Sequence, residues 1–85
     1  MVYFALTEHG FAEAVATAKG EQPVWCAASA ASQEQIAAMH ATNITRFMYS
    51  ADELLGSPSR IAGALATIAQ HHPNEPIWIE HVAAA

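Results

Sequence analysis

The chain has 85 residues, 53% of them apolar, with three Lys+Arg against eight Asp+Glu for a formal charge of −5. That length leaves room for one core, read as a single domain over residues 1–85, and roughly a quarter of the positions are alanine, so large core side chains are scarce. Lys19, Arg46 and Arg60 lie far apart in sequence, which excludes the clustered cations that drive binding to nucleic acid or to an anionic membrane surface.

The first strand is expected at 2–6, where Val2, Tyr3, Phe4, Ala5 and Leu6 are all apolar, as in strands covered on both faces. A helix follows over about 10–19, with Phe11, Ala14, Val15 and Ala18 on one face and Gly20 as a stop. The second wholly apolar strand is at 24–28, around Trp25 and Cys26. Ser32-Gln33-Glu34-Gln35 then forms a capping box that opens a second helix, whose apolar face uses Ile36 and Met39. A third strand at 44–49 carries polar groups, Arg46 among them, and a short turn at 52–55 ends at Gly56. The last helix starts from Ser57 with Pro58 in its first turn, buries Ile61, Ala64, Leu65 and Ile68, and is stopped before Pro73. A fourth strand at 77–82 includes Ile77, Trp78, Ile79 and Val82.

The order β-α-β-α-β-α-β is the pattern of parallel crossover units, so the fold class is α/β with a four-stranded parallel sheet and helices on both faces. Placing the two wholly apolar strands at the centre gives strand order 3-2-1-4, with the first two helices on one face and the last on the other. Order 2-1-3-4 is the alternative, and an antiparallel ferredoxin-like arrangement the third choice. A single cysteine, no basic leader before an apolar run, and no apolar stretch of roughly 18 residues point to a cytoplasmic address.

Ligands of open parallel sheets bind beyond the carboxyl ends of the strands, at helix N-termini. Here that rim carries Thr7, His9, Gly10, Ser29, Ser57, Asp52, Glu53, Glu80 and His81. His9 has two readings: an exposed histidine near a helix cap, or a neutral, nucleophilic ring beside amides able to stabilise a phosphoryl group. Gly10 permits close backbone approach there. Asp52 and Glu53 orient a histidine in one reading and complement a helix dipole in the other. Cys26, in an apolar strand, reads as a buried structural thiol, and His40, His71, His72 and His81 complete no metal-ligand spacing, so no metal and no cofactor is expected. Trp25 and Trp78 are expected between sheet and helices.

Two segments resemble a known family. Leu6-Thr7-Glu8-His9-Gly10-Phe11-Ala12 resembles the phosphorylated-histidine motif of the mannose-type IIA domains of the bacterial sugar phosphotransferase system, and Asp52-Glu53-Leu54-Leu55-Gly56-Ser57-Pro58 resembles their Asp-x-x-x-Gly-Ser-Pro segment. The resemblance implies that His9 accepts a phosphoryl group, Asp52 orients it and Ser57 lies beside it, on a sheet of order 2-1-3-4.

Two functions are carried forward. The first is a small module that binds a protein partner or a second copy through the apolar edge strand at 77–82, with Ile77→Lys expected to disturb association but not folding. The second is a compact phosphocarrier or phosphate-ligand site built on His9 and Asp52, with Thr7, Gly10, Ser29 and Ser57 as ligand-binding residues.

Overall fold

A computed structural model describes residues 1–82. The elements are β1 (Val2–Ala5), α1 (Glu8–Ala18), β2 (Val24–Cys26), α2 (Gln33–Met39), β3 (Ile44–Arg46), α3 (Ala51–Leu55), α4 (Pro58–His71) and β4 (Ile77–Ile79). All strand pairs are parallel and the sheet order is β3-β2-β1-β4. The two longer apolar runs are therefore central; β3, which carries Arg46, takes one edge, and β4, apolar over Ile77–Ile79 with Glu80 just beyond it, takes the other. The order 2-1-3-4 and the antiparallel arrangement do not occur.

Alternation along the strands divides the core in two. Val2, Phe4 and Leu6 of the β1 segment join Trp25, Ala27, Leu54, Ala64 and Ile68 on the face covered by α3 and α4. Ala5, Val24 and Cys26 join Phe11, Ala14, Ala18, Ala30 and Ala31 on the face covered by α1, with Ile36 of α2 packed at its margin. The alanine-rich side lets α1 lie close to the sheet, while the bulk of the packing volume sits on the other side, around Phe4, Trp25 and Ile68. Among the described residues no helix is long and apolar enough to cross a membrane.

Several local expectations shift. β1 and β2 are shorter than their apolar runs, and β3 and β4 end at Arg46 and Ile79 instead of at 49 and 82. Thr7 caps α1, its hydroxyl accepting from the Gly10 amide at 3.1 Å, so the helix begins at Glu8 and His9 lies in its first turn. The stop comes one residue before Gly20: Lys19 is left-handed at φ 53°, and Gly20 continues the turn at φ 75°. The Ser32–Gln35 capping box forms as the sequence predicts, and Ser57 caps α4 with Pro58 behind it. The turn at 52–55 is a five-residue helix with its own capping box between Ser50 and Glu53. Met39 is exposed instead of packing, and α2 buries no residue fully. Trp25 is buried as expected, but Trp78 is 39% exposed on the sheet edge.

Candidate functional site

The carboxyl ends of β1 and β4 and the N-terminus of α1 meet at one point, and an internal carboxylate fills it. In the register that sets Phe4 opposite Ile79, the next residue of the β4 segment, Glu80, arrives beside the end of β1, its own amide donating to the Phe4 carbonyl at 3.0 Å. Its Oε1 accepts from the Leu6 amide at 2.7 Å and the Thr7 amide at 2.8 Å, and its Oε2 accepts from the Thr7 hydroxyl. Thr7 thus donates to Glu80 while accepting from Gly10, which ties the carboxylate to the first turn of α1. Here Gly10 explains itself: a Cβ at that position would overlap the Glu80 carboxylate.

The electrostatics agree with the geometry. Burial pushes the Glu80 carboxyl up, but the Thr7 hydroxyl, the Thr7 and Leu6 amides and the nearby His9 outweigh it and hold the group below the ordinary glutamate range. The positive end of α1 favours a negative charge at the same place. The amides that the sequence offers for an incoming anion already hold one.

The remaining rim residues are distributed along the ledge. His9 is 83% exposed, and its Nε2 pairs with Glu13 Oε1, one turn along α1, at 3.1 Å. Asp52 lies exposed in the first turn of α3, and among the described residues its side chain has no ion pair or hydrogen bond, while its carbonyl accepts from the Gly56 amide at 2.9 Å. Ser29 accepts from the Ala51 amide at 2.9 Å, joining the loop after β2 to the start of α3. Ser57 accepts from the Arg60 amide as the α4 cap. Thr7 and Gly10 therefore share one cluster with His9 nearby, whereas Ser29, Asp52 and Ser57 serve the α3 and α4 junctions. The Glu53 carboxyl also sits below its usual range, because the Ser50 amide and hydroxyl bind it in the capping box.

Glu80 is the residue whose role the sequence reading missed. Its signal was present in combination: order 3-2-1-4 puts the fourth strand beside the first, and an acid directly after its apolar run then lands at the first helix's N-terminus. Arg46 also changes meaning. As part of edge strand β3 it turns back over the loop after β2, donating to the Ala31 carbonyl at 2.8 Å and the Ala28 carbonyl at 3.1 Å. Burial pushes the Cys26 thiol up to about 11, with Arg46 pulling weakly the other way. A thiol-reactive dye at pH 8 is accordingly expected to leave Cys26 unlabelled in the folded protein and to label it stoichiometrically in urea; labelling of the native chain at the rate of a free thiol contradicts this.

No family model, curated protein or solved structure matches the chain.

Proposed function

We propose that the chain is a protein-interaction module that pairs with a second copy of itself along the free edge of β4. The observation that carries this reading is the character of that edge: Ile77, Trp78 and Ile79 follow Pro76 without a charge, and Trp78 and Ile79 are 39% and 40% exposed on opposite faces of the strand. Natural edges are blunted by charge, proline, bulges or shortness; this one is short and follows Pro76 but carries no charge on its three residues.

The ladder phase specifies how two copies meet. The Val2 amide donates to the Pro76 carbonyl and the Glu80 amide to the Phe4 carbonyl, so the peptide groups of residues 76, 78 and 80 turn toward β1. Those of Ile77 and Ile79 turn outward. A twofold axis at Trp78 sets Ile77 of each copy opposite Ile79 of the other, and each such pair exchanges both of its backbone bonds. Trp78 then faces its own counterpart in the position where cross-strand side chains come closest. Glu80 is folded back onto its own Leu6 and Thr7, and the exposed acids that border the seam, Glu13 beside Trp78 and Glu75 before Pro76, pair with His9 and with the N-terminal amine.

The test is sedimentation across a concentration series, with amide exchange followed in parallel. The expected result is a mass rising from 9.0 kDa toward twice that value, with the Ile77 and Ile79 amides slowing in step. Ile79→Lys is the better probe than Ile77→Lys, since Ile77 packs against the core cluster on the α4 face and Ile79 does not. It is expected to return the monomer with an unchanged Tm. A monomer at every concentration, or a dimer that ignores Ile79→Lys, overturns the reading.

A second reading, phosphoryl transfer through His9 with Asp52, is favoured by the exposure of His9 in the first turn of α1. It ranks below the first because the amides that would steady a phosphoryl group there are bound to Glu80. A phosphoryl adduct by intact mass after incubation with acetyl phosphate, absent in His9→Ala, would reverse that ranking.

A further inference from the structure

At the other edge of the sheet, an open groove of about 500 Å³ runs between the segment after β3 and the first half of α4, lined by Phe47, Tyr49, Ser59, Arg60, Gly63 and Thr67. Its volume is in the range of small-molecule sites, and its walls combine two aromatic rings with one cation. We infer that this groove binds a small aromatic monoanion, its flat ring lying over Gly63 between α4 and the Phe47 and Tyr49 side chains, and its carboxylate on the Arg60 guanidinium.

Three observations carry the assignment. Gly63 stands inside a 14-residue helix, where glycine weakens the helix relative to alanine, and yet a Cβ there would meet nothing within 4 Å. No neighbour requires the glycine, so what it provides is clear space on the groove side of α4. Next, the three cations of the chain have different employments. Arg46 is bound to two carbonyls and Lys19 ends α1, whereas Arg60 lines the groove with its Cζ 5.0 Å from the centre of the Tyr49 ring. Cation–π attraction to the tyrosine ring holds the guanidinium at the groove without using its N–H donors. Last, among the described residues the one acid paired with Arg60 is weakly engaged: Glu53 Oε2 is 3.8 Å from Nη1, beyond hydrogen-bond distance, while its Oε1 is held by the Ser50 amide at 3.1 Å. A ligand carboxylate thus meets a planar cation with donors to offer, and a bidentate pair is the geometry a guanidinium favours.

Polar recognition beyond the charge is sparse. The Thr67 hydroxyl donates to the Gly63 carbonyl at 2.9 Å, which leaves the Ser59 and Tyr49 hydroxyls as further polar groups of the wall. The ligand class that fits is one apolar ring system with one anionic substituent; a sugar would leave its hydroxyls unmatched.

The probes are 2-naphthoate and its neutral counterpart 2-naphthamide, titrated into the ¹⁵N-labelled full chain. Naphthoate is expected to give saturable shifts centred on Ser59, Arg60, Gly63 and Thr67, and to bind about tenfold tighter than the amide. Arg60→Gln is expected to bring naphthoate down to the affinity of the amide. Gly63→Leu is expected to abolish saturable binding of both while keeping or raising Tm, because leucine is the better helix former and its Cβ has room. Equal affinity for the two probes, shifts centred elsewhere, or undiminished binding by Gly63→Leu overturns the inference. The β4 edge is not involved, so either proposal can fail without the other.

Discussion

Gly10→Ala is expected to destabilise the protein by about 1–2 kcal/mol and then to become harmless, or mildly stabilising, once Glu80 is replaced by alanine. Alone, the new methyl displaces the Glu80 carboxylate from the Leu6 and Thr7 amides and the Thr7 hydroxyl, outweighing the helix preference of alanine over glycine. Glu80→Ala alone is expected to cost about 2 kcal/mol, since charge-assisted bonds to a half-buried cluster are lost but water reaches some of the freed donors. With Glu80 gone the methyl has nothing to strike, and only its helix propensity remains. Urea midpoints of the two single variants and the double variant close the cycle. Simple additivity would mean that Gly10 and Glu80 are not coupled, and the site would have to be read anew.

The same carboxylate sets a pH dependence. Glu80 has a folded pKa below its unfolded value, so its contribution is fully present above about pH 4.3 and is lost as pH falls through the folded value. Stability should therefore drop on acidification through that window, and Glu80→Gln should flatten the drop while starting from a lower plateau. An identical acid profile for both proteins would assign the loss to other carboxylates.

The larger effect is expected at Trp25. Its ring is 5% exposed, with centroids 5.2 Å from Phe47 and 5.4 Å from His71, and its Nε1 donates to His72 Nε2 at 3.2 Å. Trp25→Ala removes the largest side chain from a core otherwise rich in alanine, at about 3–5 kcal/mol. Against a total of about 5–15 kcal/mol for a domain of this kind, that leaves little. A Tm lowered by at least roughly 12 °C is expected by circular dichroism. Trp25→Phe should cost only about 1–2 kcal/mol, because the ring is retained and His72, half-buried, can turn its freed nitrogen to water. A Trp25→Ala protein as stable as Trp25→Phe would show that the α4 face is not the main source of stability.

The sheet was legible because composition and position agree. Two runs without a polar residue favoured central places over the alternatives of order 2-1-3-4 and an antiparallel sheet, and the strands carrying Arg46 and Glu80 suited edges, where those groups reach solvent or a partner. Caps were equally plain at Ser32 and Ser57, where hydroxyl, spacing and a following glutamine or proline act within a few residues. What sequence could not supply was the meeting of distant parts. Glu80 and Leu6 are 74 positions apart, and only the register of β4 on β1 decides that one meets the other. The groove depends likewise on Gly63 facing open space beyond β3, and among the described residues no helix crosses the edge on which Trp78 lies exposed. In the candidate site, Thr7 and Gly10 were visible as a pair, but the group they hold was not.

That long reach bears on how the chain comes off the ribosome. β1 is made before both of the strands it pairs with, yet its partner on one side follows some 74 residues later. At about 5–20 residues per second, roughly 4–15 s of synthesis separate the two. During that interval the β4-facing flank of β1 and the Leu6 and Thr7 amides lack the partners they have in the finished fold. Both gaps close together: the β4 backbone pairs along β1 and, one residue further, the Glu80 carboxylate takes the two amides.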